Sequence, residues 1–179
     1  MLWRRLHGAG SDACRCLDAG HGWLIEGAAA FEEDGVVAAL SYHVRTGTDW
    51  ATRTARITGF AGARAIDIAI HSLPAGGFTV NGAVVAGVAG LPDVDLGFTP
   101  ATNLNAIRRL DLTVGEETET TAAWLDTQDW QVKPLRQMYR RIAADRFAYA
   151  SLAHDYEAEL ETDEFGFVTR YPGLWQAIA

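Results

Sequence analysis

Hydrophobic and polar positions alternate along much of this chain. Across Val36–Arg45 the even positions Val36, Ala38, Leu40, Tyr42 and Val44 are apolar or aromatic, while Ser41, His43 and Arg45 make the other side polar. Ile66, Ile68 and Ile70 alternate with Asp67, Ala69 and His71. In His154–Glu161, Tyr156, Ala158 and Leu160 take one face, and Asp155, Glu157, Glu159 and Glu161 take the other. A strand sends successive side chains to opposite faces, so each run predicts a half-buried antiparallel strand.

Turn chemistry separates these runs. Asn81-Gly82, between Phe78–Val80 and Ala83–Val85, predicts a two-residue type I′ hairpin, because both central positions need positive φ. Glu33-Asp34-Gly35, Thr46-Gly47-Thr48, Pro74–Gly77 and Asp163–Gly166 are further turn clusters. No rhythm of strand, helix and parallel strand runs through the chain.

Three segments carry helical signals. Leu135, Met138, Tyr139 and Ile142 fit an i, i+3, i+4, i+7 stripe, with Pro134 suited to a first helical turn. The same residues also fit an arginine-rich strand that turns through 143–146 into Phe147–Ser151; the pattern alone favours the helix. Leu174–Ile178 predicts a short helix after Pro172-Gly173, and Thr99-Pro100 another helical turn before Ile107. Together these signals predict a mainly β domain over 1–179. It is one long, strongly curved antiparallel sheet, open or half-barrel, of about ten or more strands, with one or two short helices. A sheet of that size must curl, and curled sheets enclose ligand cavities.

Composition adds exclusions. A chain of 179 residues, 49% hydrophobic and 21% charged, has the size and balance of one globular domain. It can bury about 70% of its unfolded surface without a disulfide or metal. The net charge of −8 opposes phosphate backbones and anionic membrane surfaces, so nucleic acid is not an expected partner. No run approaches the ~20 apolar residues of a membrane helix, and Met1–Leu6 has no apolar stretch behind its arginine pair. A cytoplasmic protein without integral membrane association is expected. Cys14 and Cys16, flanked by His7 and His21, lack the usual spacing of zinc ligands. They are read as reduced thiols on one strand face, and neither metal nor cofactor is expected.

Candidate chemistry is sparse. Asp93 and Asp95 share a strand face about 6.7 Å apart along the backbone, a spacing compatible with acid/base work. A structural ion pair with Arg108 or Arg109 is the favoured alternative; those arginines point to opposite faces if their segment is a strand. The Thr99–Asn103 loop offers hydroxyls and an amide, either for turn capping or for a polar head group. Trp50, Trp124 and Trp130 suit a core or an apolar cavity. Trp3 and Trp175 are expected to pin the chain ends. The histidines fall on separate segments. No nucleophile elbow, Walker loop, His-Glu-x-x-His or dinucleotide fingerprint is present.

The run Asp93-Val-Asp-Leu-Gly-Phe-Thr-Pro-Ala-Thr-Asn103, continued by Ile107-Arg-Arg-Leu110, resembles a bacterial family called putative glycolipid-binding proteins. Trp50-Ala-Thr-Arg53, Arg136-Gln-Met-Tyr139 with Phe147-Ala-Tyr149, and Phe165–Val168 with Tyr171–Trp175 match the same family in the same order. The chain departs from the pattern at Leu104-Asn105-Ala106, where a proline is usual before Ile107-Arg-Arg-Leu110. The resemblance implies a strongly bent antiparallel sheet, similar in shape to bacterial lipoprotein carriers that hold acyl chains. It also implies a hairpin, not a helix, over Leu135–Ser151.

The expected function is binding of an amphipathic ligand, such as a glycolipid, as carrier or sensor. Apolar strand faces would hold the acyl part. Trp50, Arg53, Asp93, Asp95, Thr102, Asn103, Arg108, Tyr139 and Tyr149 are the candidates for its polar end. The alternatives are a hydrolase or isomerase using Asp93 or Asp95, and an interaction module without a small ligand.

Overall fold

Alternation in the sequence becomes strand pairing in the structure. A computed structural model describes residues 1–179, and nearly all of its regular structure belongs to one 15-stranded sheet. The first eight strands are β1 (Leu2–Arg5), β2 (Gly10–Asp18), β3 (Trp23–Glu33), β4 (Val36–Thr46), β5 (Thr52–Ala61), β6 (Arg64–Ser72), β7 (Phe78–Val80) and β8 (Ala83–Val84). A short strand β9 (Asp93–Leu96) is followed by a 3-10 turn (Pro100–Thr102) and helix α1 (Asn103–Leu110). The remainder is β10 (Glu117–Asp126), β11 (Gln131–Ala143), β12 (Arg146–Ser151), a second 3-10 turn (Leu152–His154), β13 (Tyr156–Thr162), β14 (Val168–Tyr171) and β15 (Trp175–Ala177).

Neighbours in sequence are neighbours in the sheet, and β1 joins the two halves by pairing with β15, Trp3 opposite Ala177. All pairs are antiparallel except β9, which lies parallel on β10. Both edges are short, two residues in β8 and four in β9, which limits edge-to-edge association. The sheet does not close, but it bends until its far parts meet. Thr52 of β5 donates its N–H to the Pro92 carbonyl at 2.8 Å, and its hydroxyl accepts from Val94 N–H at 3.1 Å. At one rim Arg64 reaches the Asp129 carbonyl at 3.2 Å.

The concave side is filled by the chain itself. Phe98, Ala101, Leu104 and Ile107, from the segment between β9 and the end of α1, join the inward strand residues in one cluster of 37 buried hydrophobics. The inward strand faces, expected to hold an acyl chain, therefore pack mainly on protein. Gly27 of β3 faces Tyr42 of β4, and a Cβ there would lie 2.4 Å from the Tyr42 hydroxyl, so this approach requires glycine. Trp3 is fully buried, and its indole N–H meets the Val168 carbonyl at 2.6 Å.

Several expectations hold in detail. Asn81 and Gly82 take φ of 49° and 85°, with Val80 opposite Ala83, as a type I′ hairpin requires. Others are corrected. Leu135–Ile142 lies in strand β11, which pairs with β10 along the ten residues Gln131–Arg140 and continues into β12, as the family resemblance implies. Its true period is two, with Leu135, Gln137 and Tyr139 buried and Arg136 and Arg140 exposed. Leu174–Ile178 contains the short strand β15 in place of a helix, because β1 and β14 offer it backbone partners on both sides. Arg108 and Arg109 lie on a helix, about 100° apart, not on opposite faces of a strand. Cys14 and Cys16 share a face of β2 and are free thiols, while His7 and His21 are exposed. No helix is long and apolar enough to cross a membrane.

Candidate functional site

Two features of β9 set the site. Its parallel seat on β10 places Asp95 opposite Trp124. The 3-10 turn then folds back, with the Thr99 hydroxyl accepting from Ala101 N–H at 3.0 Å. Thr102 closes the turn, accepting from Leu96 N–H at 3.0 Å and lying 3.3 Å from Asp95 Oδ1. Beside this turn lies a cavity of about 300 Å³, at the lower end of the range for small-molecule sites. Asp95, Thr99, Asn103, Trp124, Leu135, Tyr149, Ser151, His154, Tyr156, Tyr171, Leu174 and Trp175 are among its lining residues.

The polar groups in and behind the cavity hydrogen-bond to one another in small groups. Gln137 Nε2 donates to Asp95 Oδ2 at 2.7 Å and to the Tyr149 hydroxyl at 3.1 Å. Asn103 Nδ2 donates to the Tyr139 hydroxyl at 3.0 Å, and the Tyr139 and Tyr149 rings meet edge to face at 5.0 Å. At the rim Ser151 Oγ and His154 Nδ1 are 3.0 Å apart, and the His154 ring stands edge-on to Trp124. Burial pushes the Asp95 carboxyl up to about 6, against the pull of its bonds from Gln137 and Thr102. Burial also raises the phenols of Tyr139, Tyr149 and Tyr171, keeping them neutral hydroxyl donors at ordinary pH.

Of the nine residues expected at a polar end, Asp95, Asn103 and Tyr149 line this cavity, and Thr102 and Tyr139 stand behind it, bonded to Asp95 and Asn103. The other four lie elsewhere. Asp93 is buried and held by Arg109, whose Nε lies 2.9 Å from Oδ2. The same guanidinium reaches Thr120 at 3.0 Å, so this is a structural clamp between α1 and the β9–β10 edge. Arg53 forms an exposed pair with Asp49 at 2.7 Å. Trp50 and Arg108 belong to a separate cluster. Trp50 takes φ of 62°, its ring stacks on Trp23 at 4.8 Å, and the Arg108 guanidinium lies 5.2 Å from it and 5.3 Å from Phe165. Sequence reasoning missed Gln137, which bonds both Asp95 and Tyr149. Its signal was a polar residue in the apolar phase of Leu135-x-Gln137-x-Tyr139.

The profile of the family described as "Putative glycolipid-binding" matches residues 1–177. The chain belongs to that family. A crystal structure of a DUF1089 family protein from Pseudomonas aeruginosa superposes with a TM-score of 0.85 at 26% identity, covering 94% of this chain and 92% of that one. No curated protein matches the chain. The glycolipid-binding family name supports a binding role, and Asp95, Leu96, Gly97, Thr99 and Asn103, from one of the segments that carry the resemblance, line the cavity.

Proposed function

We propose that this protein binds an amphipathic ligand of the glycolipid type, as carrier or sensor, and that the cavity beside β9 takes its neutral, polyhydroxylated headgroup. The observation that carries this is the convergence of one carboxylate, side-chain hydroxyls and an amide with the faces and edges of Trp124, Tyr149, Tyr156 and Tyr171. Sugars present hydroxyls at their edges and C–H groups on their faces, so they match such a mixed wall. An ionised Asp95 disfavours anionic headgroups.

A hydrolase reading has one observation behind it, the Asp95 carboxyl displaced toward neutrality. Glycoside hydrolysis commonly uses two carboxyl groups flanking the bond. Asp95 is the sole carboxylate lining the cavity, and Asp93 is engaged by Arg109. Binding is the better supported reading.

The test is native mass spectrometry of gently purified protein, followed by titration with a neutral glycoside read by tryptophan fluorescence. Co-purified lipid or saturable uptake is expected. Asp95→Ala should weaken binding about ten-fold or more, the loss of a hydrogen bond to a charged group. A clean unliganded mass with no uptake refutes binding. Unchanged affinity in Asp95→Ala refutes this placement of the headgroup.

A further inference from the structure

Three arginines lie over aromatic rings: Arg5 over Phe31, Arg141 over Phe147, and Arg108 over both Trp50 and Phe165. Arg5 also donates to the Glu32 carbonyl and to Glu33, and Arg141 to the carbonyls of Leu112, Ala143 and Ala144. Arg108 differs, because its exposed guanidinium has no hydrogen-bond or ion-pair partner in the molecule. The acidic groups on the adjoining turns do not take it. Asp49 pairs with Arg53, Asp18 accepts from Gly20 N–H, and Asp163 accepts from the N–H groups of Gly166 and Phe167. Glu164 is exposed and forms no ion pair. Burial pushes the Cys16 thiol up to about 11, against the pull of Arg108, so it stays neutral as well.

The side chain is nevertheless held in place. Its guanidinium lies 5.2 Å from the Trp50 ring and 5.3 Å from the Phe165 ring. Gly166 takes φ of 104°, and a Cβ there would lie 3.3 Å from Arg108 Cδ, so the turn after β13 closes on the arginine stem. Contact with ring faces leaves the N–H fork without an oxygen acceptor. Beside it, Trp23 stacks on Trp50 at 4.8 Å and meets Phe165 edge-on at 5.6 Å, and both Trp23 and Phe165 are only half-buried. A fixed, unmatched cation and a partly open aromatic shelf thus share one rim, and none of these residues lines the cavity of Asp95.

We infer that Arg108, Trp23 and Phe165 form a second ligand site, for a small aromatic monocarboxylate whose carboxylate takes the guanidinium fork while its ring lies against the shelf. One guanidinium offers one charge in a planar fork, which matches a carboxylate bidentately. A phosphate group carries about −1.5 to −2 at pH 7 and would be left partly unmatched, since Arg53, the next cation along the chain from Trp50, is already paired with Asp49. The net charge of −8 opposes anions over the surface at large, so a free guanidinium is what selects the place. The site is separate from the headgroup placement proposed above and stands or falls without it.

The experiment titrates the full chain at pH 7 with benzoate, benzamide and inorganic phosphate, read by the indole N–H signals in nitrogen-15 NMR, with that of Trp23 assigned through Trp23→Phe. Benzoate should shift the Trp23 signal saturably. Benzamide, the same ring without the charge, should bind about ten-fold more weakly or worse, the loss of a hydrogen bond to a charged group. Phosphate should bind more weakly than benzoate. Arg108→Gln should weaken benzoate by a similar factor of about ten or more. No response to benzoate, or an equal response to benzoate and benzamide, overturns the site. Benzoate binding that leaves the Trp23 signal unmoved overturns its location. Phosphate binding more tightly than benzoate overturns the carboxylate class, and unchanged benzoate affinity in a folded Arg108→Gln overturns the role of Arg108. The comparison of benzoate with benzamide in the unmodified protein decides the matter even where Arg108→Gln does not fold.

Discussion

Asp12 is a carboxylate sealed inside the sheet, and replacing it with Asn isolates the cost of that charge. The residue lies in the inward phase of β2 and is fully buried. Its Oδ2 accepts from the Tyr42 hydroxyl at 2.8 Å and from the Thr99 hydroxyl, while Oδ1 has no partner. Burial raises its pKa from 3.8 to about 6, against the opposing bonds from Thr99 and Tyr42. A displacement of that size costs the ionised fold about 3 kcal/mol. The sign follows from proton binding. Well below the unfolded value of 3.8, by about pH 3, the carboxyl is protonated in both folded and unfolded chains, and the cost vanishes. As pH rises through about 6 the folded state must release a proton it holds more tightly than the unfolded chain does, and stability falls. Asp12→Asn keeps an oxygen for Tyr42 and Thr99 and puts an amide nitrogen where Oδ1 stood, so any packing change is common to every pH. Urea unfolding of both proteins at pH 3.0 and pH 7.5 gives two stability differences. Their difference should be about 3 kcal/mol in favour of the variant at pH 7.5. The corresponding shift in melting temperature is about 6–12 °C for a chain of this size. Stability differences equal within about 0.5 kcal/mol at the two pH values refute a buried, displaced carboxyl at Asp12.

Two further outcomes separate structural from surface charge and test an orphaned amide. Arg109→Ala strands Asp93, whose side chain is 3% exposed, and should cost about 3–5 kcal/mol in urea unfolding. Arg53→Ala removes a pair whose side chains are 49% and 58% exposed, and should cost under about 1 kcal/mol; a reversed ranking contradicts the clamp between α1 and β9. Asn105 is fully buried, and neither its Oδ1 nor its Nδ2 has a partner. Asn105→Leu, close in volume, should stabilise the protein by about 1–3 kcal/mol in the same assay; a loss would show that the amide is satisfied in solution.

How legible the site was depends on the residue. Asp95, Thr102 and Asn103 were singled out from one contiguous motif, and a tight turn keeps such neighbours together whatever the rest of the fold does. Tyr139 and Tyr149 were singled out through the resemblance, and their meeting depends on β11 pairing with β12, Tyr139 opposite Tyr149. Trp50 and Arg108 were grouped with them by motif, yet they stack on each other elsewhere in the molecule. Gln137 and Asp12 went unnoticed because a polar residue in an apolar phase looks like noise until the phase is known to be buried. Both sit in inward phases of their strands, and both hold networks that reach the Thr99–Asn103 turn through Thr102 or Thr99.

By itself, the sequence determined the alternating strands β4, β6 and β13, the tight Asn81-Gly82 hairpin and the outward placement of Glu157 and Glu159. These follow from φ preference and a period of two, which act between residues a few positions apart. The tertiary structure alone decided that Leu135–Ile142 is extended, that β1 joins β15, and that Phe98 and α1 occupy the hollow of the sheet. A helical stripe and a strand phase can coincide over eight residues, and only a partner strand with free N–H and C=O groups breaks the tie. Whether a curled sheet encloses space or side chains is likewise not local. It depends on how far residues 93–110 fold back into the concave face, where Phe98, Leu104 and Ile107 join the core and fill much of the hollow.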